Sequence, residues 1–289
     1  MLTRDCFRGF LFERLGVRGE IVHLDASWRS AQEHHSYPEP VRILLGQSLA
    51  AVLLLSATIK FKGSLILQIQ GDGPLTTLVA QATHDRTIRG IAHWKGEVPQ
   101  GPLAEIFGAG RLVLTVQSEG AEPYQGLIPL EGTNLASAIE SYFALSEQLA
   151  TKLWLAADGH RAAGLFLQEL PSQQREADAW RRISMLADTV TDHELLELPT
   201  ETLLRRLFHE ERVRVFDPDP VVFRCSCSQE RIEAVLLALG RPEVDSILAE
   251  QGAVEARCEF CNRLFQLDPV DVGVLFARET AIAGSRRRH

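Results

Sequence analysis

Four of the five cysteines in the chain fall in its last quarter as two tight pairs, Cys225-Ser226-Cys227 and Cys258-Glu259-Phe260-Cys261, separated by thirty residues. Two close pairs divided by a folded excursion suit four-coordinate metal binding. Each short loop supplies two sulfurs to one side of an ion, and the intervening fold brings the loops together. Four thiolates select a soft or borderline ion, so Zn2+ is expected at Cys225, Cys227, Cys258 and Cys261, with an iron centre as the alternative. A segment this short has little core of its own, so its fold must be organised around the metal. Four thiolates also close the coordination shell, whereas a catalytic zinc keeps a position open for water or substrate. The site is therefore read as structural or regulatory, with no catalytic residue and no enzyme activity assigned.

Sulfur geometry admits the regulatory role. With Zn–S bonds of about 2.3 Å, tetrahedral placement holds any two sulfurs roughly 3.8 Å apart, whereas a disulfide needs about 2.05 Å. Oxidation would join Cys225 to Cys227 and Cys258 to Cys261, remove the thiolate ligands and expel the ion. Metal binding contributes on the order of 10 kcal/mol to a small zinc domain, so its loss should unfold the C-terminal unit. The C-x-C pair is the less comfortable of the two, because residues two apart in an extended strand lie near the upper limit of disulfide Cα spacing. Arg224, Arg257 and Arg263 flank the ligands. They either offset the negative charge of a four-thiolate centre or are simply solvated. Cys6 has no cysteine neighbour in sequence and is read as a packed thiol outside the site.

At 289 residues and 45% hydrophobic content the chain can bury a substantial core, enough for one large domain and a smaller one. A formal charge of -8 speaks against a protein that neutralises phosphate, and no nucleic-acid partner is expected. The opening MLTRDCFRGFLFERLG has neither the continuous apolar stretch nor the small-residue cleavage site of a secretory signal. The longest apolar run, 43 to 59, is interrupted by Gln47, Ser48, Ser56 and Thr58 and reads as a buried helix, with no membrane association. Cysteines gathered in two pairs, rather than spread as crosslinks, point to a reducing compartment, here the cytoplasm. No HExxH, GxSxG or P-loop occurs, and GDGP (71 to 74) reads as a turn between strands, so no nucleotide site is assigned.

Apolar runs from Phe7 to Ala26, broken by Gly9, Gly16 and Gly19, read as strands with tight turns. Helical content follows from Pro40 to Ile59. LILQIQ (65 to 70), LTTLVAQAT (75 to 83) and IRGIAHW (88 to 94) alternate as half-buried strands do, which predicts an antiparallel meander. RLVLTVQ (111 to 117) and PYQGLIPL (123 to 130) add further strands. The spacing of Leu135, Ile139, Tyr142, Phe143 and Leu149 predicts an amphipathic helix over 135–150, and KLWLAA and GLFLQEL complete a first domain near Leu170. The fold class is α+β: a mixed core domain with an antiparallel sheet over 1–170, a charged helical segment over 171–219 and a small four-cysteine zinc domain over 220–289.

Within 171–219, short helices are expected near 176 to 187, 192 to 198 and 200 to 208, separated by Thr191 and Pro199. The segment has enough Leu, Ile and Val to fold against a partner surface and few that could form a core of its own. That fits either a conditional linker or an ordinary helical subdomain. FDPDP (216 to 220) marks its end. A strand into the first cysteine pair, helices over 229–239 and 242–251, a hairpin around 254–267 and a solvated SRRRH tail follow.

SATIKFKGSLILQIQGDGPL (56 to 75), YFALSEQ (142 to 148), GLFLQELP (164 to 171) and HELLELPTETLLRRLFHEERVRVFDP (193 to 218) precede the two cysteine pairs in order. With those pairs they resemble the 33-kilodalton heat-shock chaperone family over essentially the whole chain. The resemblance implies an ATP-independent holdase for unfolded client proteins, with an α/β core, a metastable helical linker and a zinc sensor. The sensor's ligands map to Cys225, Cys227, Cys258 and Cys261. In that family the reduced, zinc-bound form is inactive. Peroxide or hypochlorous acid, usually with heat, forms two disulfides, releases zinc and unfolds sensor and linker, and a homodimer accompanies activation. The resemblance assigns no client-binding residues. From the residues alone two other readings stay open: a zinc-dependent nucleic-acid-binding protein, which the acidic balance opposes, and a dithiol oxidoreductase, which the closed metal shell opposes.

Overall fold

Strands form where apolar and polar side chains alternate. The computed structural model describes residues 5–57, 62–130, 132–171, 176 and 178–286, with side chains described as far as 278. In it β1 (Cys6–Phe12) and β2 (Val17–Leu24) make an antiparallel hairpin turned by Arg14 and Gly16, both at positive φ. Gly9 and Gly19, expected in turns, lie instead inside the strands. Gly19 sits opposite Phe10, and a Cβ there would meet the Phe10 ring at 2.1 Å, so the missing side chain makes room for the aromatic one.

The helices α1 (Ala26–Gln32) and α2 (Glu39–Ser56) follow. Helix α2 is long and apolar enough to cross a membrane by composition, but it is packed inside the protein and touches strands of both large sheets. A helix apolar on nearly every face belongs in a core. Thr58 and Ile59 of the apolar run lie outside the described residues.

The predicted meander is present: β3 (Gly63–Gln70), β4 (Leu75–Thr83) and β5 (Thr87–Trp94) pair antiparallel. After the short α3 (Leu103–Phe107), β6 (Arg111–Ser118) pairs with β3, and β7 (Tyr124–Pro129) pairs with β6. The GDGP turn is held structurally: Gly73 N–H donates to the Phe107 carbonyl at 2.9 Å, and Asp72 accepts from the Ala109 N–H at 2.8 Å. Helix α4 (Leu135–Tyr142) is shorter than the expected 135–150. It widens into a π turn over Phe143–Glu147 and stops at Gln148, whose left-handed φ of 54° breaks the helical path. Strands β8 (Thr151–Ala157) and β9 (Ala162–Glu169) then pair with each other, and β9 with β2.

Three short helices form near their expected positions: α5 (Ala179–Ala187), α6 (Asp192–Glu197) and α7 (Thr200–Phe208). Thr191 and Glu194 close a capping box at the start of α6, and Pro199 precedes α7. Their apolar stripes, including Ile183, Leu195, Leu203 and Phe208, pack on Phe10, Phe12, Ile21 and Leu165 of the β1–β2–β9 sheet. Ion pairs Arg8–Glu201, Arg161–Glu197 and Arg182–Glu211 rim this layer. The chain then runs along the sheet edges: β10 (Val213–Val215) and β11 (Asp219–Pro220) pair antiparallel with β1, and β12 (Val222–Phe223) pairs parallel with β5. The two large sheets have strand orders β10-β1-β2-β9-β8 and β12-β5-β4-β3-β6-β7.

Compact packing divides the chain into Met1–Arg224 and Cys225–His289. The second unit holds α8 (Gln229–Leu239), α9 (Arg241–Gln251), a hairpin of β13 (Val254–Arg257) and β14 (Leu264–Leu267), and α10 (Pro269–Arg286). Helix α10 is not among the elements expected after the hairpin, since the expected tail covers only 285–289. Pro269 begins it, and the Asp268 carboxylate accepts from the Val270 and Asp271 N–H groups at 2.7 and 2.8 Å. The core of this unit is Leu236, Val244, Val254, Leu267, Val272 and Leu275. Residues 287–289 of the basic tail lie outside the described residues.

Candidate metal centre

Two short connections carry the cysteines. Cys225 and Cys227 lie between β12 and α8, and Ser228 starts the helix, its hydroxyl accepting from the Arg231 N–H at 3.4 Å. The Arg231 guanidinium reaches back to donate to Ser226 Oγ at 2.8 Å, which pins the C-x-C loop to the helix. Cys258 and Cys261 lie in the tight turn between β13 and β14. There the Asn262 N–H donates to the Cys258 carbonyl at 2.7 Å, and the Cys258 N–H donates to the Arg263 carbonyl at 3.0 Å. Asn262 takes a left-handed φ of 54°, a conformation that asparagine tolerates better than most residues.

These two turns bring all four sulfurs within 4.8 Å of one another, each cysteine half-buried. Cys225 Sγ lies 3.5 Å from Cys258 Sγ, and Cys227 Sγ lies 3.4 Å from Cys261 Sγ, so both contacts cross between the loops. Sulfurs sharing one zinc ion lie roughly 3.8 Å apart. Donor type and spacing therefore fit a single soft or borderline metal ion. Burial, and then the thiols of Cys261, Cys225 and Cys258, push the Cys227 thiol well above the ordinary thiol range. Sulfurs this close ionise together only when a cation sits among them. Among the described residues no other group of His, Cys, Asp and Glu gathers in this way.

The four cysteines singled out from the sequence are thus together, and Cys6 is elsewhere, buried in β1 opposite His23. Of the three flanking arginines, Arg263 places its guanidinium over the Phe265 ring at 5.0 Å. Among the described residues, the arginine side chain bonded to a cysteine loop is Arg231, which cysteine spacing does not reveal. Its signal is helical: it stands three residues after a capping serine, so its side chain leaves the first turn beside the loop.

The likeness to known proteins runs along most or all of the chain. A family model described as Hsp33 protein matches residues 5–268. The 33 kDa chaperonin of Nitrosococcus oceani is 58% identical over 289 residues, with both chains covered in full. That of Methylobacillus flagellatus is 45% identical over 293 residues, again with both chains covered in full. The crystal structure of the 33 kDa chaperonin (heat shock protein 33 homolog) of Thermotoga maritima matches with a TM-score of 0.83. It covers 96% of this chain and 100% of that one at 23% identity, and so shares the fold.

Proposed function

The chain belongs to the Hsp33 protein family, and we propose that it is a redox-regulated, ATP-independent holdase that keeps unfolding client proteins from aggregating under oxidative stress in the cytoplasm. The observation that carries this reading is the gathering of four half-buried sulfurs in a unit whose described residues form a small apolar cluster. Cys225, Cys227, Cys258 and Cys261 would hold Zn2+, which when bound supplies the positive charge that keeps four clustered sulfurs as thiolates and ties the two turns together.

In the reduced chain the C-x-C loop and the hairpin turn are joined through their sulfurs, and the client surface stays covered. Hydrogen peroxide reaches the half-buried sulfurs. For each cysteine pair one S–S bond forms and one O–O bond breaks; the two thiolates give two electrons to the peroxide, which takes two protons from solvent and leaves as two waters. Pairing within each turn, Cys225 with Cys227 and Cys258 with Cys261, leaves the turns unlinked. A small core alone then holds too little of the second unit's fold. Residues 171–219 serve as the conditional linker: α5, α6 and α7 cover Phe10, Phe12, Ile21 and Leu165, and their displacement gives apolar surface to clients. The oxidised chain forms a homodimer. No nucleotide, nucleic acid or membrane enters this mechanism.

The test follows zinc release and the light scattering of a thermally unfolding client, before and after peroxide at elevated temperature. Protection that arises with oxidation and metal loss is expected; equal protection by the reduced and oxidised chains contradicts the switch.

A further inference from the structure

The two cysteine pairs are held in different shapes. Cys258 and Cys261 sit where the chain reverses between β13 and β14, in a turn closed by the Asn262 N–H on the Cys258 carbonyl and the Cys258 N–H on the Arg263 carbonyl. Cys225, Ser226 and Cys227 form no turn. They alternate half-buried, exposed and half-buried, as residues of an extended chain do. Both sulfurs thus face the same way, Cys225 Sγ toward Cys258 Sγ at 3.5 Å and Cys227 Sγ toward Cys261 Sγ at 3.4 Å. The Ser226 side chain lies on the other side, where its Oγ accepts from Arg231 Nη1 at 2.8 Å.

Arg231 is itself anchored. It stands in the first turn of α8, where its own N–H donates to Ser228 Oγ at 3.4 Å and the Ile232 N–H donates to the Ser228 carbonyl at 3.3 Å. The guanidinium therefore ties the middle of the C-x-C segment to the helix that follows it. A metal ion and a disulfide ask for different shapes from that segment. Two thiolates on one ion suit an extended chain, in which residues two apart lie about 6.6–6.8 Å between Cα atoms. A disulfide most often spans about 5.5–6 Å. Closure must draw the two backbones together by about 1 Å, and the residue that has to bend is Ser226.

We propose that Arg231 is a positioning residue for the C-x-C pair: through Ser226 it holds Cys225 and Cys227 in the extended shape that suits a metal ion and slows their closure into a disulfide. The inference rests on the redox reading above and names a residue that sets the rate of one of its steps. Closure by hydrogen peroxide forms one S–S bond and breaks one O–O bond. The two thiolates give two electrons, and two protons from solvent complete two waters. Bending at Ser226 costs its bond to Arg231, which adds to the barrier for this pair and not for Cys258 and Cys261. Because Arg231 stands on α8, fraying of the first turn of that helix removes the restraint as well.

The experiment uses the full chain loaded with zinc, as the parent and as Arg231→Ala, Ser226→Ala, the double variant and Ser226→Thr. Zinc content is measured before peroxide is added. Samples blocked at intervals then give, by mass spectrometry, separate rates for the Cys225–Cys227 and Cys258–Cys261 disulfides, the second serving as internal reference. Each alanine variant should speed Cys225–Cys227 relative to Cys258–Cys261 by about three- to tenfold, the weight of one hydrogen bond. The double variant should be no faster than either single one, because both remove the same bond. Ser226→Thr keeps the hydroxyl and should keep the parent's ratio. An unchanged ratio in the alanine variants overturns the proposal. So does equal acceleration of both pairs, which marks general loosening, and so do effects that multiply in the double variant. If Arg231→Ala loses zinc before oxidation, Ser226→Ala against Ser226→Thr decides in the same way. A parent that forms neither disulfide overturns the redox reading itself; parent disulfides with an unchanged variant ratio overturn only the role given to Arg231.

Discussion

Helices α2 and α8 are both rich in Leu, Val and Ala, yet they are buried very differently. In α2, Leu45, Leu49, Leu53 and Leu54 are fully buried against strands of both sheets. In α8, Leu236 is buried, but Val235 and Leu239 are 57% and 52% exposed. The same contrast runs through the two units. Among the described residues Met1–Arg224 closes two large apolar clusters around its sheets, whereas Cys225–His289 closes one small one and leaves Val270 and Val274 of α10 exposed as well. Burial contributes roughly 25 cal/mol per Å2 and must offset about 1–2 kcal/mol of backbone entropy per residue. The first unit meets that demand with its own side chains. In the proposed switch the second depends on a link between its two cysteine turns.

Breaking that link should have the largest effect. Cys227→Ser, or chelation of the reduced chain, should remove on the order of 10 kcal/mol from the second unit. Circular dichroism should then lose helix in proportion to α8, α9 and α10, while the thermal transition of the first unit persists. A second unit that stays cooperatively folded without metal would erase the contrast. The converse substitution is Leu53→Ala, which should cost the first unit about 2–5 kcal/mol through a cavity in the main core. Denaturant unfolding reads that loss, and zinc content should not change.

Acidity offers a finer probe, because two buried groups on β2 pull in opposite directions. Burial pushes the Glu20 carboxyl up to about 7, against the opposing charges of Arg18 and Arg86, and burial pushes His23 down to about 4. Folding raises the proton affinity of Glu20, so its contribution is complete below its unfolded value of 4.5 and is lost as pH rises toward about 7. The contribution of neutral His23 is complete above 6.5 and is lost as pH falls toward about 4. Over the shared interval the two offset each other. Glu20→Gln removes one side: its stability should match the parent near pH 4 and exceed it by about 1–3 kcal/mol near pH 8. Equal stability at both ends would show that Glu20 is ionised without cost in the fold. The smallest effect is expected from Thr191→Ala, about 1 kcal/mol through loss of the α6 cap. Amide exchange over 192–197 should quicken more than exchange in β3 or β4.

The gathering of the four cysteines was legible because their chemistry and their spacing coincide, and the meander was legible because 65–94 alternates cleanly. Other features depended on what each residue meets across the fold. Gly19 reads as a turn residue until Phe10 is found opposite it. The helical stripe from Leu135 continues in sequence to Leu149, but the backbone departs from it at Gln148. FDPDP reads as a free boundary, yet Asp219 and Pro220 pair with Phe7 and Cys6 of β1, more than two hundred residues away in sequence. Arg231 was overlooked because only the start of α8 places it beside Ser226. Local pattern thus specified the elements, while long-range register decided which glycine, turn or arginine served which purpose.

The most direct test is hydrogen exchange read by mass spectrometry on the full chain, reduced with zinc and then oxidised with peroxide at elevated temperature. Thiol pairing and released metal are measured on the same samples. Amides of α8, α9, α10 and the β13–β14 hairpin should lose protection as Cys225–Cys227 and Cys258–Cys261 disulfides form, while α2, β3 and β4 keep theirs. Retained protection across Cys225–His289 after complete thiol oxidation, or equal loss in both units, would contradict a metal-held sensor attached to a self-supporting core.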